Sequence, residues 1–315
     1  MGAVSPPELV GAVSNAGGLG MLGTARWGGR TLPNLNRLID QIEAITDRPF
    51  GINFIIAPEH MEDTDPGCFA LAARRARVVE FFWGWPDPAL IETVHEHGAL
   101  VSWQVGSWEE AVAAATAGSD LIVAQGIEAG GHVRGTIGVL ALLDEVLTAV
   151  DVPVLAAGGI GTGRALAAVL AAGAEGARMG TRFVAAKESD AHPLYVDALV
   201  AARAMDTVYT DAFSVGWDAP HRVLRSCVAA AEAFPGDVVR EVPTLDGTRE
   251  PLRRLAPDAI NRGTIGTIAA MPLWAGESVG GINRVQPAAE IVHELAAEAE
   301  RLLRRWVPED GPSIG

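Results

Sequence analysis

Cysteine is almost missing from this 315-residue chain: Cys68 and Cys227 are its whole complement. Two cysteines build no disulfide framework and cannot alone complete a tetrahedral zinc site, so no metal is expected and a reducing cytoplasm fits best. Basic residues are scarce as well, 24 Lys and Arg against 39 Asp and Glu, for a formal net charge of −15. That balance argues against nucleic acid and anionic membrane as partners, since both reward positive surface. No uninterrupted apolar run reaches the ~18 residues of a membrane span. The opening MGAVSPPELVGAV has no basic stretch ahead of an apolar one, so it does not read as a signal peptide. Internal repeats and low-complexity tails are missing too. No strand is followed by G-x-G-x-x-G with an acid about 20 residues later, which leaves a doubly wound open sheet without support.

Hydrophobic residues are plentiful, 49% of the chain, enough for one large α/β barrel or two ordinary domains with a real core. Apolar runs at Leu19–Gly23, Phe50–Ile55, Arg77–Trp83, Ala99–Val105, Leu121–Gln125, Val152–Ala157 and Gly176–Phe183 read as strands. They are near-continuously apolar, as parallel strands covered on both faces should be. Amphipathic helices separate them. Ser5-Pro-Pro-Glu8 and Ser107-Trp-Glu-Glu110 have the spacing of capping boxes, and Thr162 or Gly163 opens an Ala/Leu-rich helix. Strand and helix in alternation mean a parallel sheet. A closed (β/α)8 barrel needs eight strands, and the missing one would belong upstream of Met1. The expected fold is therefore α/β, a TIM (β/α)8-type barrel lacking its first strand. Past residue 190 the rhythm changes. Pro193–Met205 and Arg222–Phe234 look helical, Pro235–Pro257 interrupts every period, 263–281 is rich in small residues, and 288–306 is an amphipathic helix. The expected division is a barrel of 1–190 and 281–315 with a small, mostly helical cap of 191–280.

Glycine marks the chemistry. AAGGIGTG at 156–163 follows one strand and opens a helix, and MGTRF at 179–183 lies in the next βα unit. Such turns let backbone N–H groups approach an anion, and a helix N-terminus adds a favourable dipole. With an absent first strand counted, these are the seventh and eighth loops, the usual phosphate grip of barrels. Gly158, Gly159, Gly180 and Thr181 are the candidate phosphate contacts, and Arg182 could neutralise the charge or form a surface salt bridge. Amides stand at other strand ends, namely Asn53, Gln104 and Gln125. Carboxamides offer both donors and acceptors to the edge of a flat heterocycle. A ring with a phosphate tail is implied, and FMN is the economical choice. In QGIEAGGHVRG, Gly130 and Gly131 let the chain lie against such a ring, and His132 follows as a base competent near neutral pH. Glu128 reads as a solvated or helix-capping charge and His192 as a helix cap. Trp83, Trp85 and Trp103 lie near strand ends as pocket wall or packing, and Trp274, Gly276 and Ser278 could approach the ring from the cap. His95 and His97 are two apart on a helix and share no face.

These segments resemble the nitronate monooxygenase (2-nitropropane dioxygenase) family of FMN-dependent TIM barrels. The resemblance is carried by SPPELVGAVSNAGGLGMLG, FGINF, WGWP, AQGIEAGGHVRG, VLAAGGIGTGRALAAVLAAGAEGARMGTRF and LWAGESVGG. It implies FMN contacts at Met1, Asn53, Gln104, Gly130, Gly158, Gly159, Gly180 and Thr181, with His132 as the catalytic base. The expected activity is FMN-dependent oxidative denitrification of alkyl nitronates or nitroalkanes by O2, giving a carbonyl compound and nitrite. An NAD(P)H-dependent FMN reductase of quinones or enoyl thioesters is the alternative enzyme. A non-catalytic flavin-binding protein is the alternative outside catalysis. Expected partners are a small-molecule substrate, O2 and a second copy of the chain.

Overall fold

Runs of β-branched and aromatic residues bounded by glycine and proline favour extended backbone, and each run at the expected places forms a strand. The computed structural model describes residues 1–2, 4–25, 29–243, 249–258 and 260–306. Its strands are β1 Gly20–Gly23, β2 Phe50–Ile55, β3 Val78–Phe82, β4 Leu100–Val105, β5 Leu121–Gln125, β6 Gly131–His132, β7 Val154–Ala157, β8 Gly176–Arg178, β9 Thr207–Thr210, β10 His221–Leu224, β11 Val238–Pro243 and β12 Arg249–Arg253. Seven of them form one sheet in the order β1-β2-β3-β4-β5-β7-β8, every pair parallel. The expected run to Phe183 stops at Arg178, because Thr181–Val184 turns helical beyond Gly180.

Register decides which side chains meet. Gly23, Asn53, Glu80 and Ser102 stand in one row across β1 to β4. The next row, Phe54, Phe81 and Trp103, points to the opposite face, as the period of two requires. It packs on the helix Gly67–Arg75, where Phe69 meets Phe54 edge-on at 4.9 Å and Phe81 at 5.8 Å. The sheet is curled. Both edges, β1 and β8, line a cavity of about 270 Å³ walled by Leu9, Val10, Phe183 and Leu295. Among the described residues no ladder joins the two edges.

Local signals account for several helix ends. Ser107 Oγ accepts from the Glu110 amide and Gly118 ends that helix at φ 105°, while Thr162 Oγ1 accepts from the Ala165 amide. Ser5 does not cap: its hydroxyl donates to the Met21 carbonyl at 2.7 Å, so Pro6 is left as N-cap of Pro7–Asn15. No helix among the described residues is long and apolar enough to cross a membrane.

Residues 191–280 hold more strand than expected. Their helices Pro193–Ala201 and Arg225–Ala233 are accompanied by β9, β10, β11 and β12, so the segment is mixed rather than mostly helical. The expected helix from Arg222 starts at Arg225 because His221–Leu224 pairs with β9 on one side and β6 on the other. The expected helix from Pro193 ends at Ala201, four residues short of Met205. A second apolar cluster, including Tyr195, Phe213, Cys227, Ile260 and Met271, lies under this segment and takes in Val4 and Val184. Part of the interrupted stretch 235–257 and the end of 281–315 lie outside the described residues. The terminal helix Ala288–Leu303 packs on Gly163–Ala171, where a Cβ at Gly163 would sit 2.4 Å from the Glu298 Cβ.

Phe81 is fully buried between Phe54, Phe69 and Trp103. Phe81→Ala is expected to cost about 3–5 kcal/mol in chemical denaturation, the usual range for an aromatic lost from a core.

Candidate active site

The ends of parallel strands leave their loops on one side of the sheet, and a second, larger cavity of about 430 Å³ opens there. Met1, Asn53, Gln104, Gln125, Gly130, His132, Gly158, Gly159, Gly180 and Thr181 all line it, so the structure brings the ten sequence-predicted site residues together.

His132 is held from several directions. It pairs with His221 in the two-residue ladder between β6 and β10, and the Val133 amide donates to Pro220 O at 3.0 Å. On the barrel side the Gln125 carboxamide brackets it. Nε2 donates to His132 O at 3.0 Å, and Oε1 accepts from the Arg134 amide at 3.2 Å. Gln125 thus orders the loop as well as facing the cavity. Gly131 reaches this path at φ 77°, and a Cβ at Gly130 would collide with the Gly276 nitrogen at 2.3 Å. The glycine pair therefore lets the loop turn sharply and lie against 275–276 before His132 emerges.

Indole rings surround the imidazole. Trp217 lies 3.9 Å from it, Trp274 5.0 Å and Trp83 5.8 Å, centroid to centroid. Trp83 adopts φ 76°, a region that side chains with a Cβ rarely occupy. Arg134 holds it there: Nη1 donates to Trp83 O at 2.9 Å, and the guanidinium carbon lies 5.5 Å from the indole. Glu110 anchors Arg134 in turn, accepting from Nε at 2.6 Å. Trp274 is fixed through its carbonyl by the buried Tyr195 hydroxyl, and the Gly276 amide donates to Thr181 Oγ1 at 3.0 Å.

His221 has a defined tautomer. A carbonyl can only accept, so Nδ1 carries the proton toward Ala219 O at 3.0 Å, and Nε2 accepts from the Phe213 amide at 3.2 Å. Burial pushes this imidazole below its ordinary pKa.

Some candidates lie elsewhere. Among the described residues Arg182 neither lines the cavity nor forms a surface salt bridge. It is buried, donates to Gln286 Oε1, and its Nη1 has no partner among the described residues. Glu128 caps Val139–Leu147 from outside, accepting from the Val139 amide at 3.1 Å. His192 caps Pro193–Ala201 through Nδ1. His95 pairs with Asp120, and His97 reaches Thr93 O. Trp103 is core, Trp85 is 61% exposed, and Trp274 and Ser278 line the cavity. Sequence reasoning missed Arg30, Arg178, Tyr195 and Trp217 in the lining, and Glu80 behind it. Glu80 had a signal: an acid in the middle of an apolar strand must find partners. Trp217 had none, sitting in a loop without periodicity.

A parallel sheet whose strand ends ring a deep cavity with an imidazole in its wall is the architecture of a barrel-type α/β enzyme. The family model for nitronate monooxygenase matches residues 1–298. A probable nitronate monooxygenase of Staphylococcus saprophyticus is 28% identical, over 97% of this chain and 94% of that protein. Nitroalkane oxidase from Streptomyces ansochromogenes superimposes with a TM-score of 0.77 at 33% identity, over 96% of this chain and 94% of that one. FabK from Thermotoga maritima does so with 0.76 at 32%, over 97% and 92%. The chain belongs to the nitronate monooxygenase family and is an oxidoreductase.

The His221 environment predicts a pH dependence. The unfolded imidazole takes up a proton near pH 6.5, the folded one only at lower pH. Its contribution to stability is full above about 6.5 and is lost as pH falls toward the folded value. Melting temperatures between pH 7.5 and 5 should therefore decline less steeply for His221→Gln than for the parent chain. Equal slopes would refute the assignment.

Proposed function

We propose that the chain is an FMN-dependent nitronate monooxygenase that converts alkyl nitronates or nitroalkanes and O2 into a carbonyl compound and nitrite. The observation that carries this reading is the convergence of three carboxamides, two glycine turns and one imidazole on a single cavity. The residues fit the cofactor. About 430 Å³ falls in the size range of cofactor sites. Gly158 and Gly159 take φ of 105° and 70° in the wall, a path side chains rarely adopt, and a Cβ at Gly158 would meet Gly126 O at 2.9 Å, so glycine lets this turn pack closely beside the cavity. Met1, Gly130, Gly158, Gly159, Gly180 and Thr181 would hold the phosphate and ring, with Asn53, Gln104 and Gln125 supplying polar groups to the ring edge. When bound, FMN supplies the electron acceptor for the nitronate and the route to O2.

The protein's own groups act on the proton and on water. His132 removes the α-proton of a neutral nitroalkane, and a substrate that enters as nitronate needs no such step. The indoles of Trp83, Trp217 and Trp274 would shield the imidazole, so that a charge on it is met by aromatic rings as well as by solvent. In the same reading residues 191–280 form a cap that carries Trp217 and Trp274 to the barrel rim. The enzyme works in the cytoplasm on a small molecule, as a homodimer.

A likeness to FabK comparable with that to nitroalkane oxidase supports one competing reading, NAD(P)H-dependent reduction of quinones or enoyl thioesters. Bleaching of bound flavin by NADH without nitronate distinguishes it. The base assignment is tested by His132→Asn. That variant should stay yellow, lose 10²–10⁴-fold in turnover of neutral nitroalkane, the worth of a general base, and keep most of its turnover of preformed nitronate. Equal losses on both substrates would remove His132 from the proton step.

A further inference from the structure

Glu80 is the acid of β3, in the run Val-Val-Glu-Phe-Phe, and its side chain is 3% exposed. A carboxylate so placed requires matched donors. It has two. Asn53 Nδ2, from the neighbouring position on β2, donates to Oε1 at 2.9 Å. Arg178, at the end of β8, donates to the same oxygen from Nη2 at 2.9 Å and from Nε at 3.3 Å. Asn53 and Arg178 line the 430 Å³ cavity, and Glu80 stands behind them.

This arrangement has two consequences. Because Glu80 accepts from Nδ2, it fixes which end of the Asn53 amide is nitrogen and leaves the carbonyl end as the acceptor for a ligand. It also offsets the guanidinium charge, so Arg178 reaches the cavity as a directed donor with no net cation behind it. Two-electron reduction of a flavin with uptake of one proton leaves the ring one unit more negative. A neighbouring net positive charge would favour that form.

We propose that Glu80 is a positioning residue that sets the reduction potential of the flavin through Arg178 and Asn53. Its carboxylate would keep the potential of the bound cofactor low. The proposal rests on the FMN reading above, and the test separates the two. The full chain, loaded with FMN, is compared with E80Q, R178Q and the double variant. Visible spectra give occupancy, and dye-coupled reductive titration at pH 8 gives midpoint potentials. E80Q leaves Arg178 uncompensated and is expected to favour reduced over oxidised flavin at least about tenfold, a rise of about 30 mV for a two-electron couple. R178Q leaves the carboxylate uncompensated and should lower the potential. The double variant, with neither charge, should return toward the parent value.

Loss of packing would not make the two single variants move in opposite directions. Shifts of the same sign, or none in variants that hold FMN, overturn the proposal. If E80Q does not fold, R178Q decides alone, a fall supporting the proposal and a rise or no change overturning it. A parent chain that takes up no FMN overturns the cofactor reading and this proposal with it.

Discussion

The short ladder between His132 and His221 is the tie between two bodies of packing that sets the imidazole. On one side lies the parallel sheet with its helices, on the other the apolar cluster around Tyr195, Phe213 and Met271. A loop of glycines has little conformational preference of its own, so the chain from Gly126 to Gly138 depends on what grips it. β10 grips it from above, and the two ends of the Gln125 amide grip it from below. The imidazole orientation is thus a product of both bodies. Disturbing either would loosen the group that the reaction needs held still.

Charge is arranged with the same economy. The chain is strongly acidic, yet the groups buried near the cavity come in offset pairs, Glu80 with Arg178 and Glu110 with Arg134. Each pair does more than cancel. Glu110 steadies the arginine that keeps Trp83 in a rare backbone conformation, and Glu80 orders Asn53. Removing one member of such a pair strands the other in a poorly solvated place, whereas a buried ion pair replaced as a whole by neutral groups leaves no uncompensated charge.

Much of the barrel was legible from residues alone. Parallel strands buried on both faces write themselves as apolar runs, and all seven runs became strands. The glycine turns at 158–159 and 180 and the amides at strand ends were readable because their positions after strands restrict what they can do. The segment 191–280 was less legible. His221–Leu224 is too short for a clear period of two, and its strand character comes from pairing with β6, a partner 89 residues earlier in the chain. Ser5 had the spacing of a cap, but a strand carbonyl competed for its hydroxyl. Arg178 and Trp217 face the cavity for tertiary reasons that no local pattern records. Arg182, four residues past Arg178, drew attention by its neighbours and points elsewhere.

Among the described residues no ladder joins β1 to β8, and the cavity lies along that seam. Met1 and Asn53 stand on one bank of the seam, Arg178 and Gly180 on the other. Among the described residues Arg178 reaches across to Glu80, the Ser189 hydroxyl donates to Val4 O, and an apolar cluster of Leu9, Ala186, Ile291 and Leu295 packs between the banks. A molecule that grips both banks would act as a clasp, adding its own contacts to these. Occupancy and the rigidity of the sheet edges would then rise and fall together, with amide protons along β1 and β8 exchanging more slowly as the clasp fastens.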